Sequence, residues 1–238
     1  MAETARRGGL GRIFILAGLL AMALFLTLGV WQVQRLQWKL DLIARVEARL
    51  AADPVTAPGP ADWAGLAADQ SEYARAEYTR VGVTGHYLSG PQPLVQAVTE
   101  HGRGFWVMTP LQTAQGWTVL VNRGFIPENL RDAPPAPETG EVTVQGLLRM
   151  DQPGGGFLRH NDPPAGRWFS RDVGAMATAL NLPQVAPYFI DAAAGPAPLP
   201  IGGLTVVQFR NSHLSYALTW FALAAGLAFL LWRAFRPH

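Results

Sequence analysis

The sequence predicts an α+β membrane protein in which two transmembrane helices flank an antiparallel β-rich extramembrane domain. Uncharged, mostly apolar runs cover Ile13 to Val30 and Leu214 to Trp232. Each is about 18–19 residues long, which at roughly 1.5 Å per helical residue nearly matches a hydrocarbon core of about 30 Å. Between them lie short stretches in which apolar and polar residues alternate, punctuated by glycine and proline, as half-buried strands and their turns require. A hydrophobic fraction of 49% with 15% charged residues suits one folded domain plus two spans.

Residues 1–12 form an N-terminal tail in which Arg6, Arg7 and Arg12 outnumber Glu3. The first span covers residues 13–31. A cleaved signal peptide is the rival reading, but its apolar core is usually about 7–15 residues with a small-residue cleavage site after it. Here Trp31-Gln32-Val33-Gln34-Arg35 follows instead, so an uncleaved anchor is expected. Basic flanks mark cytoplasmic ends, which places Arg6, Arg7 and Arg12 there, with Arg233 and Arg236 of the tail 233–238. Both termini are then cytoplasmic, and residues 32–210 form a periplasmic domain on a bacterial inner membrane. Arg35, Lys39, Arg45 and Arg49 oppose that orientation, but a long domain translocates largely regardless of its charge.

Leu36, Leu40, Ile43, Val46 and Leu50 recur at helical spacing, so the first helix is expected to continue beyond the span. Asp53-Pro54 and Ala57-Pro58-Gly59-Pro60 stop it, because proline disfavours helix in the residue before it. A loop to about Ser71 is expected. Strands are expected at Tyr78 to Leu88, Pro93 to Val98, Gly104 to Gln112, Gly116 to Ile126 and Glu141 to Met150, with a hairpin turn at Gln115-Gly116. In the first, Val81, Val83, Gly85 and Tyr87 alternate with Arg80, Gly82, Thr84 and His86. A helix follows over about Asp172 to Leu180, then strands at Tyr188 to Asp191 and Leu204 to Arg210. Many short strands with few helices imply an antiparallel sheet or a partly closed barrel. The second span covers residues 211–232.

Several function classes are disfavoured at once. A net charge of +2 without a basic stripe gives no footprint for nucleic acid. The absence of cysteine excludes disulfides, thiolate metal sites and iron–sulfur clusters. His86, His101, His160 and His238 lack metal-ligand spacing. No nucleophile elbow, phosphate-binding loop or pair of catalytic carboxylates stands out, so an enzyme is not expected.

Three stretches carry a resemblance. Leu28-Gly29-Val30-Trp31-Gln32-Val33-Gln34-Arg35 with Trp38-Lys39, Val119-Leu120-Val121-Asn122-Arg123-Gly124-Phe125-Ile126-Pro127, and Asn211-Ser212-His213-Leu214-Ser215-Tyr216-Ala217-Leu218-Thr219-Trp220-Phe221 resemble the signature stretches of the surfeit-locus-1 family, in the same order. Trp168-Phe169-Ser170-Arg171-Asp172 and Tyr188-Phe189-Ile190-Asp191 resemble family segments too. The resemblance implies a two-span assembly factor for a haem-copper terminal oxidase, most often cytochrome c oxidase. It implies haem a as a cofactor, the second-span histidine, here His213, as ligand of the haem iron, and oxidase subunit I and haem a synthase as partners. A haem-free scaffold that stabilises an oxidase assembly intermediate is the alternative.

On a helix, His213, Tyr216, Ala217 and Trp220 fall at i, i+3, i+4 and i+7 and share a face. With Arg210, Trp31 and Arg35 these make the candidate haem site. Haem iron takes a neutral imidazole, arginines Arg210 and Arg35 suit propionates, and a farnesyl tail suits lipid along the spans. The same rings and basic groups also fit an interfacial belt of aromatic and snorkelling residues.

Overall fold

The computed structural model describes residues 2–68, 75–156, 158–205, 209 and 211–236, with no side-chain description for 2–13, 67, 68 and 235. The chain forms two compact units, residues 1–47 with 207–238, and residues 48–206.

The first unit holds the greater part of α1 (Ala2–Ala51), whose last turn belongs to the second unit, and a C-terminal helix, α4 (His213–Phe235). The expected extension of the first helix is present: α1 runs unbroken to the residue before Ala52, just ahead of Asp53-Pro54. Phe14–Ala51 and His213–Ala234 are each long and apolar enough to cross a membrane. They pack side by side and antiparallel. A Cβ on Gly18 would come within 3.0 Å of Leu231, and one on Gly29 within 2.6 Å of the Phe221 ring. Phe25 stacks on Trp220 with centroids 5.7 Å apart. Ala217 and Ala224 are buried on the same face of α4. Gly18 and Gly29 leave room for the Leu231 and Phe221 side chains, which pack there by dispersion contacts.

The second unit is built from β1 (Val55–Thr56), α2 (Pro60–Ala68), β2 (Arg80–Tyr87), β3 (Leu94–Thr99), β4 (Gly102–Thr113), β5 (Thr118–Pro127), β6 (Glu141–Met150), α3 (Val173–Ala179) and β7 (Val185–Ala192). The seven-stranded sheet has the order β1-β2-β6-β7-β5-β4-β3, and β2 also pairs with β4. That extra pairing closes β2-β6-β7-β5-β4 into a barrel, with β1 and β3 as short strands at its margins.

Two features depart from the expected antiparallel sheet and loop. The β5–β7 and β1–β2 pairs are parallel. The segment expected as a loop before Ser71 contains β1 and α2, because a proline at the first helical position costs no hydrogen bond and has its φ already set. Gly59 N–H donates to the Asp62 carboxylate at 3.1 Å at that helix start. Of the last expected strand, residues 206–208 and Arg210 lie outside the described residues.

The alternation in β2 is as read: Val81, Val83 and Gly85 are buried while Thr84 and His86 are exposed. Val81, Val83, Leu111, Trp117, Val119, Val121, Val144, Leu148, Tyr188 and Ile190 fill one core cluster. Strand β5 is buried on both faces, since Leu120 joins Phe189, Val173 and Met176 in a second cluster under α3. Asp172 caps α3 by accepting from Ala175 N–H at 2.9 Å.

Candidate functional site

His213 opens α4 and lies on the face that meets α1. Its backbone N–H donates to the Asn211 side-chain oxygen at 3.4 Å. Its ring nitrogen Nδ1 is 2.7 Å from Gln32 Oε1 on α1. A carboxamide oxygen only accepts, so in a neutral His213 ring this contact puts the proton on Nδ1 and leaves the lone pair on Nε2. Gln32 is only 9% exposed, on a stripe with Phe25 and Gly29. A polar group at such a position requires a partner, and His213 supplies it.

The other expected site residues divide. Trp220 is half-buried and stacked on Phe25, and Ala217 is buried beneath His213. Tyr216 is 55% exposed, so the part of this face that packs on α1 is narrower than the face itself. On α1, Trp31 is 49% exposed. Arg35 is exposed with its guanidinium 4.5 Å from the Trp38 ring centre, and Lys39 lies 5.0 Å from the Phe209 ring. Arg210 lies outside the described residues. Gln32 was legible only as part of a signature stretch. Its signal is that it continues the Phe25–Gly29 stripe at helical spacing, where an apolar residue is the default.

A second polar cluster lies inside the barrel unit, around Asp191 on β7, which is 4% exposed. Asn122 donates to it at 2.7 Å, Arg149 at 2.8 Å, Arg171 at 3.2 Å and Thr205 at 2.8 Å. Arg149 also donates to Glu77 at 3.2 Å. Burial pushes the Arg171 guanidinium down, with Asp191 opposing. For Arg149 burial acts the same way, but Asp191, Tyr78 and Glu77 outweigh it and hold it above its ordinary value. The cluster ties β5, β6, β7 and the segment leading to α4 together.

The neighbouring Arg123 donates to Gln92, Pro135 and Ala136 at 3.0, 2.9 and 2.9 Å, pinning the proline-rich loop after β5. Gly124 has φ +130°, and a Cβ there would lie 2.3 Å from the Ile201 carbonyl oxygen. Asn122-Arg123-Gly124 thus performs three different fold tasks in consecutive positions.

These features define a class: a β-barrel domain inserted in sequence between two long apolar helices that pair through small residues and hold a half-buried histidine. The SURF1 family model matches residues 19–225. The chain is 37% identical to Surfeit locus protein 1 of Rattus norvegicus over 234 residues, covering 87% of this chain and 71% of the rat protein. It is 36% identical to the Homo sapiens protein of that name over 235 residues, 87% of this chain and 73% of the human one. A SURF1-like protein of Drosophila melanogaster is 32% identical over 230 residues, 87% of this chain and 72% of the fly protein. The chain belongs to the SURF1 family.

Proposed function

We propose that this chain is a two-span inner-membrane assembly factor for a haem-copper terminal oxidase, which holds haem a through His213 for delivery to oxidase subunit I. Its role is binding and hand-over rather than catalysis. The observation that carries the reading is the contact of His213 Nδ1 with Gln32 Oε1 at 2.7 Å, which leaves Nε2 of a neutral ring as the ligand atom. An imidazole whose second nitrogen donates to a carbonyl oxygen is the usual arrangement of a metal-bound histidine.

The surrounding residues fit the group. The Phe25–Trp220 stack and the exposed faces of Trp31 and Tyr216 offer apolar and aromatic surface for a macrocycle. Arg35 supplies a cation for a propionate, Arg210 is a second candidate by its place in the sequence, and lipid takes the farnesyl tail. When bound, the haem supplies the redox chemistry of the recipient enzyme; this chain's residues ligate, orient and shield it. Both termini lie in the cytoplasm and the barrel on the periplasmic side, where subunit I and haem a synthase are its partners.

The test is the absorption spectrum and extracted pigment of detergent-purified protein co-expressed with haem a synthesis enzymes. Haem a in the wild type and its loss in a folded His213→Ala variant are expected. A variant with wild-type haem content sinks the ligand assignment. A wild type without haem that still captures oxidase subunits replaces the reading with that of a haem-free scaffold.

A further inference from the structure

We infer that Gln32 is a positioning residue for His213, fixing its tautomer and ring orientation and setting how firmly it holds a metal. This rests on the haem reading above.

Gln32 lies on the buried face of α1, where an unpaired carboxamide is destabilising. Its retention there needs a return. General packing of the pair is already served by Gly29 against Phe221, Gly18 against Leu231, and Phe25 on Trp220. What Gln32 adds is a single directed contact to Nδ1 of His213. Without that acceptor the imidazole proton is free to sit on either nitrogen, and the ring is free to turn about its bond to Cβ. With it, Nε2 is the ligand atom and its basicity is raised. A neutral amide raises it less than a carboxylate would. Gln32 therefore makes His213 a ligand of intermediate strength, which suits a protein that must release its cargo.

The first experiment needs no haem. In haem-free detergent-solubilised protein labelled with 15N-histidine, and with His213 assigned by His213→Ala, the ring-nitrogen shifts report the tautomer. The inference expects a proton on Nδ1 in the wild type and a tautomer mixture in Gln32→Leu. A wild-type His213 protonated on Nε2 overturns it outright.

The second follows haem transfer to excess apomyoglobin and the midpoint potential in wild type, Gln32→Leu and Gln32→Glu. Removing a partner of this kind typically weakens a metal site 10–100-fold, so Gln32→Leu should release haem roughly 10–100-fold faster and at a higher potential. Gln32→Glu keeps an acceptor oxygen in either protonation state. It should restore retention to the wild-type level or beyond and lower the potential. Equal defects in both variants, or none in either, overturn the inference while leaving haem binding intact. Haem retention in His213→Ala overturns the haem reading instead.

Discussion

Replacing Asp191 by alanine probes the buried polar cluster of the barrel unit most sharply. The carboxylate is 4% exposed, and the side chains it holds, Arg149 and Arg171, are only 11% and 15% exposed. Deleting it leaves both guanidinium groups largely desolvated with their main counter-charge gone, since Glu77 forms its ion pair with Arg149 and acts on Arg171 only from a distance. Breaking a buried pair from one side costs about 3–5 kcal/mol. For a domain of this size each kcal/mol moves the melting midpoint by about 2–4 °C, so Asp191→Ala should melt about 6–20 °C below wild type. Thr205→Val removes a neutral donor to the same carboxylate and should cost about 1 kcal/mol. The assay is thermal unfolding of detergent-purified protein, followed by near-ultraviolet circular dichroism. An Asp191→Ala midpoint within about 2 °C of wild type would refute the reasoning, because it would mean that both arginines reach water without cost.

Three further outcomes follow from the geometry. Gly124→Ala puts a Cβ 2.3 Å from the Ile201 carbonyl at a φ of +130°, and should destabilise the barrel by at least about 3 kcal/mol, read as lost folded yield and a depressed melting midpoint. Gly29→Ala drives a methyl into the Phe221 ring, with an expected cost of about 1–3 kcal/mol; the Gly29→Ala/Phe221→Leu double variant should recover the loss, and its failure to do so would place the strain elsewhere. Burial pushes the Tyr87 phenol up to about 12, against an opposing pull from Arg123. Because the folded state resists ionisation that the unfolded chain undergoes near 10, Tyr87 contributes stability that is complete below about 10 and lost as the pH rises to about 12. Urea unfolding across that range should show a steeper decline in wild type than in Tyr87→Phe.

The helices and most strands were legible because their signals are local. An uncharged run, a helical period and an alternation such as that of Val81, Val83 and Gly85 each need only a few neighbouring residues. A partly closed barrel was one of the two expected architectures, but the pairings that close it were not legible, because β2–β4 and parallel β5–β7 join residues far apart in sequence. Helix α2 was hidden by its own prolines, which stop one helix and start the next. At the candidate site, spacing placed His213, Ala217 and Trp220 on one face, and the structure brings them against α1. Tyr216 lies on the same helical face but is 55% exposed, because a packed seam is narrower than a face. Gln32 and Asp191 stood inside stretches that resembled the family, but their roles depend on partners across the unit, at His213 and at Arg149 and Arg171.

The most direct test of the central claim is chemical rescue of the ligand. His213→Gly removes the imidazole while leaving Gln32 and the surrounding rings in place, and free imidazole can then be added to the purified variant with haem a. The account predicts that the variant binds haem weakly or not at all alone, and that imidazole restores a wild-type-like spectrum and retention. Haem binding by His213→Gly that matches wild type without imidazole would contradict it.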